Sequence, residues 1–342
     1  MTASTPNPHR PVSHTNNFDA IRIVAALAVL VSHHHALTGQ FEPLVLGIHT
    51  LGGFAVLAFF VLSGYLVTAS WHNDPHLLRF SLRRALRLWP ALIAVILLTT
   101  YVMGTSLTTL PPSEYLRSPL TREYLSNIWL ENKGWLPGVF EKNIYPRAIN
   151  GSLWTISFEV QCYMILACAG VLGALRSRAF WVLAVLATFI WYQSKYGPDF
   201  HADWKVKREM MVYFLLGSAM FMLQPLWSKR PLMTAIILVC VGMAIWKFGY
   251  RYLGFTIAVP YLLIYLGSLS TPVIRSFGRW GDPSYGIYLI AFPTQQAVLQ
   301  WLWPTGGLMG TMLLSIAITT SLAYLSWHTV EKGAMNFRPR KP

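Results

Sequence analysis

The sequence predicts an all-α integral membrane protein of about ten spanning helices, with both termini on the cytoplasmic side. Three observations carry that prediction. The 342 residues are 54% hydrophobic and only 12% charged, with a mean hydropathy of +0.44. Such values place most of a chain against lipid or against other helices. Apolar runs of about 17–25 residues recur along it, each long enough to cross roughly 30 Å of hydrocarbon. Basic residues collect in short clusters between the runs, as at Arg83-Arg84-Ala85-Leu86-Arg87 and Lys229-Arg230. Membrane orientation therefore explains the formal charge of +14 better than nucleic-acid binding does, and leaves part of the excess for an anionic ligand.

In chain order the runs lie at about 20–38, 50–71, 88–104, 152–174, 179–196, 209–226, 231–248, 252–270, 284–303 and 308–327. The seventh and eighth are the weakest, joined only by the turn Gly249-Tyr250-Arg251. Residues 1–17 are polar, rich in Pro, Asn and His, and lack a small-residue cleavage pattern. They read as a disordered cytoplasmic tail, and the first run as an anchor rather than a cleaved signal. Residues 18–330 then form a single transmembrane domain and 331–342 a second cytoplasmic tail. The segment 105–150 is the one sizeable extramembrane piece. Its prolines at 111, 112, 119, 137 and 146, with Trp129 and Trp135, describe a compact lid or interfacial helices rather than a flexible linker. With the termini inside, Arg and Lys number 16 on the cytoplasmic face and 11 outside, five of the outer ones in that long loop. The bias supports N-in, C-in, because long loops follow the positive-inside rule less closely. Cys162, Cys168 and Cys240 fall in apolar stretches without metal-ligand spacing. They read as packing residues, and no metal is expected.

Ionisable groups inside lipid are costly, so each one demands a reason. His33 lies in the first run, eleven residues after Arg22, about 16 Å along a helix. With Arg22 at the cytoplasmic boundary, His33 sits near the bilayer midplane. A histidine there serves either as polar glue between helices or as a functional group, and the residue alone leaves both open. Its neighbours His34 and His35 point in other directions, about 100° apart on the helix, and read as structural or near the outer interface. Glu159 lies seven residues into the fourth run, which enters from the outside, and so reaches a depth of about 10 Å. A carboxylate near an imidazole holds its tautomer and favours its protonated form. Tyr163 follows one turn beyond Glu159 on the same face. On the inner side, Arg84 and Arg87 share a helix face, with Arg83 beside them. Paired guanidinium forks suit phosphate, and the same cluster would also serve as a topology signal or headgroup clamp. The pair Ser63-Gly64 in the second run permits close backbone approach or a helix break.

Four stretches together resemble the membrane acyltransferase-3 family. Phe18-Asp19-Ala20-Ile21-Arg22 through His33 is similar to the family's Asp-x-x-Arg-(ten residues)-His opening. Phe59-Phe60-Val61-Leu62-Ser63-Gly64-Tyr65-Leu66 resembles its Phe-Phe-x-x-Ser-Gly-(Phe/Tyr)-Leu stretch. Arg84-Ala85-Leu86-Arg87-Leu88-Trp89-Pro90 resembles its Arg-x-x-Arg-x-x-Pro motif, and the stretch from Ser152-Leu153-Trp154 through Glu159 to Tyr163 its Ser-Leu-Trp-…-Glu-x-x-x-Tyr motif. The order and the ten-span plan agree as well, so the resemblance covers nearly the whole chain. Two positions depart from it: Ala55 replaces a common glycine, and Ala291, in the stretch Ser284 to Pro293, replaces a histidine found in many members. Glu331 resembles the closing Glu-(Lys/Arg)-Pro motif, with Gly333 in place of proline.

The resemblance implies transfer of an acyl group, usually acetyl from acetyl-CoA, to a sugar hydroxyl of a surface polysaccharide or its lipid-linked precursor. It also implies a multi-pass protein of a bacterial inner membrane, with acetyl-CoA as donor substrate and no permanently bound cofactor. On that reading Arg84, Arg87 and Arg83 hold the donor's phosphates, while Arg22 and Ser63 support the donor site. His33 is the general base and Glu159 its orienting carboxylate. Trp154, Tyr163 and Tyr288 are the candidates to contact the acceptor. An acetyl-imidazole intermediate on His33 ranks below direct transfer. Partners are the donor, the sugar and membrane lipids, with no nucleic acid and self-association left open. The competing class is a transporter or flippase with His33 and Glu159 as a proton relay. The inner arginine cluster discriminates, because a proton relay has no need of phosphate ligands.

Overall fold

The computed structural model describes residues 16–196 and 203–341, so most of the expected N-terminal tail lies outside the described residues. Among the described residues, ten helices of 17 residues or more account for the architecture. They are α1 (Phe18–Leu37), α2 (Leu51–Asn73), α3 (Leu77–Leu98), α4 (Trp154–Val171), α5 (Arg178–Tyr196), α6 (Asp203–Met222), α7 (Pro231–Lys247), α8 (Arg251–Ser268), α9 (Ser284–Leu302) and α10 (Gly307–Ser326). Each overlaps one apolar run of the sequence. A two-residue hairpin, Leu44–Val45 with His49–Thr50, is the one sheet among these residues.

Among the described residues, five helical stretches are long and apolar enough to cross a membrane on their own: Phe18–Leu37, Leu51–Asn73, Leu77–Leu107, Trp154–Val171 and Gly307–Met335. The protein is thus an all-α protein of membrane character. Three of the other helices fall short for identifiable reasons. Helix α7 has only 17 residues, and α8 carries Arg251 and an internal Pro260. In α9, Gln295 and Gln296 lower the mean hydropathy, yet both are fully buried within the protein.

Two of the long stretches contain π-turns. Helix α3 continues through Thr99–Met103 into Gly104–Leu107. There the Tyr115 hydroxyl donates to the Thr100 carbonyl at 2.8 Å, pinning the following loop to the helix. Helix α10 continues through a π-turn at Trp327–Glu331. The long loop itself is built, with short helices at Pro112–Arg117 and Pro119–Leu125 and with Tyr115 and Tyr124 wholly buried. Asn127 staples its far side, donating to the carbonyls of Tyr124 and Lys133, each at 2.9 Å.

The chain divides into two compact units. The first takes the described residues up to Ile21, Leu57–Phe80 and Cys162–Arg279. Its helices α2 and α6 meet backbone to backbone, because a Cβ on Gly64 would collide with the Phe214 carbonyl and one on Gly217 with the Val61 carbonyl. The Ser-Gly pair of the second run is therefore a crossing point, not a break. Beside it, the Ser218 hydroxyl accepts from Thr68 at 2.7 Å and from Trp181 at 2.9 Å. The second unit takes Arg22–Val56, Ser81–Gln161 and Trp280 onward. The cysteines divide: Cys162 is buried, whereas Cys168 and Cys240 lie on exposed faces. Only the first has the interior packing place expected of all three, because the exposed faces of apolar helices look no different in sequence.

Candidate functional site

Most of the residues singled out by sequence belong to the second unit: Arg22, His33, Arg83, Arg84, Arg87, Trp154, Glu159 and Tyr288. Arg22 lies on the first turns of α1, and the three other arginines lie on α3, so Arg84 and Arg87 do share a helical face. The turn before α9 brings an acid between them. Arg87 Nη2 lies 2.5 Å from Asp282 Oδ2, and Arg22 Nη2 lies 3.1 Å from the same oxygen. Ser284 completes the cage, donating to Oδ1 from its amide at 3.2 Å and from its hydroxyl at 2.5 Å. Burial by itself would raise the Asp282 pKa, but the two guanidiniums and the Ser284 donors outweigh it and hold the carboxyl well below the usual range.

The π-turn after α10 adds a second acid. Glu331 Oε2 is 4.0 Å from Arg87 Nη1, and Ser326 donates to Glu331 Oε1 at 3.2 Å. Arg87 also lies over the Trp327 ring, 5.9 Å from its centroid. Gly281 makes this geometry possible: its φ is +117°, and a Cβ there would strike the Trp327 indole. Arg83 reaches the C-terminal tail, donating from Nη1 to the Pro339 carbonyl at 3.5 Å.

Farther along α1 the three histidines have three environments. His34 is fully buried. Its Nδ1 faces Gln295 Nε2 at 3.1 Å, and its Nε2 faces Thr311 Oγ1 at 2.9 Å. Gln295 donates through the same nitrogen to the Leu30 carbonyl at 2.8 Å, and Thr311 donates to the Gly307 carbonyl at 2.7 Å. This network assigns the His34 proton to Nε2 and leaves Nδ1 as acceptor. His35 Nδ1 lies 2.9 Å from the Val31 carbonyl of its own helix. His33 has none of these ties. Its ring meets Phe292 edge to face at 5.4 Å, and its Nδ1 is buried without a hydrogen-bond partner. The structure therefore does not bring Glu159 onto that nitrogen.

Glu159 instead belongs to a polar seam where α4 meets α9. The Tyr288 hydroxyl lies 2.5 Å from Thr155 Oγ1 and donates to the Ser152 carbonyl at 3.2 Å. Asn150 donates to the Leu289 carbonyl at 2.8 Å. Glu159 is within electrostatic reach of the Tyr288 phenol. Trp154 stacks edge to face on Phe158 at 5.9 Å. The stretches around Ser152 and Ser284 thus form one assembly, with Ala291 buried beside Phe292. Ser63 and Tyr163 belong to the first unit, where their hydroxyls pair at 3.1 Å.

Beyond His33, one turn along α1, Leu37 packs with Phe292 and Leu299 in a small apolar cluster. Above it opens a cleft of about 280 Å³, lined by Leu37, Glu141, Lys142, Asn143, Gln300 and Trp303 among others. Asn143 is held there by Gln296, donating to its backbone and side-chain oxygens at 2.9 and 2.8 Å.

The sequence matches the acyltransferase-3 profile, described as an acyltransferase domain, over residues 15–328. The chain belongs to this family. It is 32% identical to the O-acetyl transferase of Shigella phage Sf6 over 330 residues, which cover 93% of this chain and 95% of the relative. It is 26% identical to nodulation protein 10 of Rhizobium leguminosarum bv. viciae, covering 97% and 96% of the two chains. It is also 24% identical to BcsY of Komagataeibacter xylinus, covering 97% and 86%. No solved structure matches. As an O-acyltransferase of the membrane acyltransferase-3 family, the chain does acyl transfer, not the transport considered as its alternative. Sequence reasoning overlooked Asp282 and Gln295. The one signal for Asp282 was an acid inside an otherwise basic segment between two apolar runs, Arg275 to Ser284.

Proposed function

We propose that this acyltransferase moves an acetyl group from cytoplasmic acetyl-CoA to a sugar hydroxyl of a cell-surface polysaccharide or its lipid-linked precursor, in a bacterial inner membrane with both termini inside. The observation that carries the reading is the layout of α1. A caged arginine cluster lies at its start, and a buried imidazole nitrogen with no protein partner lies eleven residues on, about 16 Å away. The separation suits a donor whose phosphates bind at one end of a narrow pantetheine arm and whose thioester lies at the other. Guanidinium forks bind phosphate oxygens in pairs, and the cleft above Leu37 offers Trp303 and several polar groups to a sugar ring.

In the proposed reaction, His33 accepts the proton of the acceptor hydroxyl as its oxygen attacks the thioester carbonyl carbon. The tetrahedral intermediate collapses with cleavage of the C–S bond, and the imidazolium returns its proton to the departing thiolate. The products are the acetyl ester and free CoA, with the histidine restored. Glu159 supports the transient imidazolium through the field of the seam rather than through a bond to Nδ1, and is a positioning residue. The test uses purified protein and labelled acetyl-CoA. His33→Ala should lower transfer by about a hundredfold or more with folded protein retained, and Arg84→Ala should raise the acetyl-CoA requirement. Full activity in His33→Ala would overturn the mechanism.

A further inference from the structure

The C-terminal tail carries an arginine that no motif includes. Arg338 follows the helical turn Lys332–Met335 and adjoins Pro339, whose carbonyl accepts from Arg83. Its side chain is half-buried. One terminal nitrogen rests against the Met335 sulfur, and Nε is buried with no hydrogen-bond partner. Among the described residues, none of the interactions that shift it comes from a carboxylate. The charged groups that act on Arg338 are Arg87, Arg84, Arg22 and Arg83, and together with burial they bring its pKa down to about 10. A guanidinium within electrostatic reach of four others, with a buried donor nitrogen left over, is destabilising for the free protein. An anion bound among the five would attract each guanidinium and offset their mutual repulsion.

The arginines sort into two groups by their partners. Arg22 and Arg87 close on Asp282, and Arg87 faces Glu331 as well, so these two build the wall of the site. Arg83 ties the tail to α3 and thereby sets Arg338 beside it. We infer that Arg338 is a phosphate ligand of this site, contributed by the C-terminal tail and directed at the nucleotide phosphates of the acyl donor. The inference rests on the reading of the chain as an acetyl-CoA enzyme. The same chemistry would recognise a phospholipid headgroup, so the experiment separates the two sources.

CoA is titrated calorimetrically into the purified full chain in maltoside micelles, which carry no phosphate. Thermal unfolding is followed for wild type, Arg338→Ala and Arg338→Lys without ligand. Arg338→Ala should weaken CoA binding about ten- to hundredfold, the loss of a charge-assisted hydrogen bond, and Arg338→Lys should recover part of it. The ligand-free Arg338→Ala protein should melt no lower than wild type, because the change removes a like charge from a cluster. Unchanged CoA affinity in Arg338→Ala beside a binding wild type overturns the assignment and leaves the acetyl-CoA reading intact. A wild type that binds no CoA overturns both. Stabilisation of that same wild type by anionic phospholipid, abolished in Arg338→Ala, would then assign the site to headgroups instead of the donor.

Discussion

Arg22 and Arg87 converge on a single oxygen, Asp282 Oδ2, at 3.1 and 2.5 Å. The contact joins the start of α1, the first half of α3 and the turn entering α9 through one buried charge. Arg87, read from sequence as a phosphate ligand, and Arg22, read as support for the donor site, are thus both occupied with one acid. Under the proposed function, anion binding and folding share the same side chains here. Removing the acid should then damage both, by leaving two guanidiniums partly buried and facing each other.

Asp282→Asn should destabilise the protein by about 3–5 kcal/mol, the usual cost of breaking a buried pair from one side. The pH dependence has a definite sign. The Asp282 pKa is depressed in the folded protein, so its contribution is complete above the unfolded carboxylate value of about 4 and is lost as pH falls toward the depressed value. Thermal unfolding of wild type and Asp282→Asn should show a constant gap from pH 8 to about pH 5. The gap should narrow only in stronger acid. A gap that closes near neutrality would show that the charge on Asp282 is not what stabilises the clamp.

His33 and His34 should separate cleanly under substitution. His34→Ala takes the imidazole partner from one Gln295 N–H and from the Thr311 hydroxyl oxygen in a buried network, at a cost of about 1–3 kcal/mol for each polar atom left unsatisfied. Its defect should appear as less folded protein and a lower melting temperature. His33→Ala removes an edge-to-face contact with Phe292 and no hydrogen bond at Nδ1. Its melting temperature should stay within a few degrees of wild type while acetyl transfer is lost. Equal loss of stability in both variants would count against the different environments assigned to them.

The helices were legible in sequence because each apolar run ends at residues that lipid or helix geometry rejects. Helix α1 begins beside Asn17 and Asp19 and ends before Gly39; α7 runs from Pro231 to the turn at Gly249. The arginine motif and His33 were legible because ionisable groups are conspicuous in apolar surroundings. Asp282 was not, since its meaning depends on Arg22 and Arg87, both far away in the chain, Arg87 by 195 residues and Arg22 by more. Nor could periodicity choose which histidine of the triplet was tied into the core. That choice is made by Gln295 and Thr311, on two other helices. The π-turn that turns Glu331 inward likewise leaves no trace in the hydrophobic pattern.

The Ser-Gly pair of α2 divides into a packing residue and a polar one. Gly64→Ala pushes a methyl group into the Phe214 carbonyl, backbone that cannot move aside cheaply. It should lower the yield of folded protein sharply, an overpacking cost of about 1–3 kcal/mol or more. Ser63→Ala loses one hydroxyl contact with Tyr163 and should cost about 1 kcal/mol. Activity per folded molecule decides whether Ser63 also serves the donor. An acetyl-CoA requirement unchanged in Ser63→Ala would confine it to packing.

The cleft above Leu37 gives the last prediction, because it lies on the far side of His33 from the arginines along α1. Leu37 and Leu299, which pack on Phe292, lie on its apolar side, and Trp303 with Gln300, Asn143, Glu141 and Lys142 lines the rest. An indole face beside hydrogen-bonding groups suits a sugar ring, whose C–H faces are apolar and whose rim is polar. Donor and acceptor would then approach His33 from opposite ends of one helix, and substitutions at the two ends should have opposite kinetic signatures. Trp303→Ala should raise the acceptor concentration needed for half-maximal transfer by about tenfold while leaving the acetyl-CoA requirement unchanged; Arg84→Ala should do the reverse. Steady-state kinetics with both substrates varied would check it. A Trp303→Ala enzyme whose acceptor requirement matches wild type would exclude the cleft as the acceptor's route.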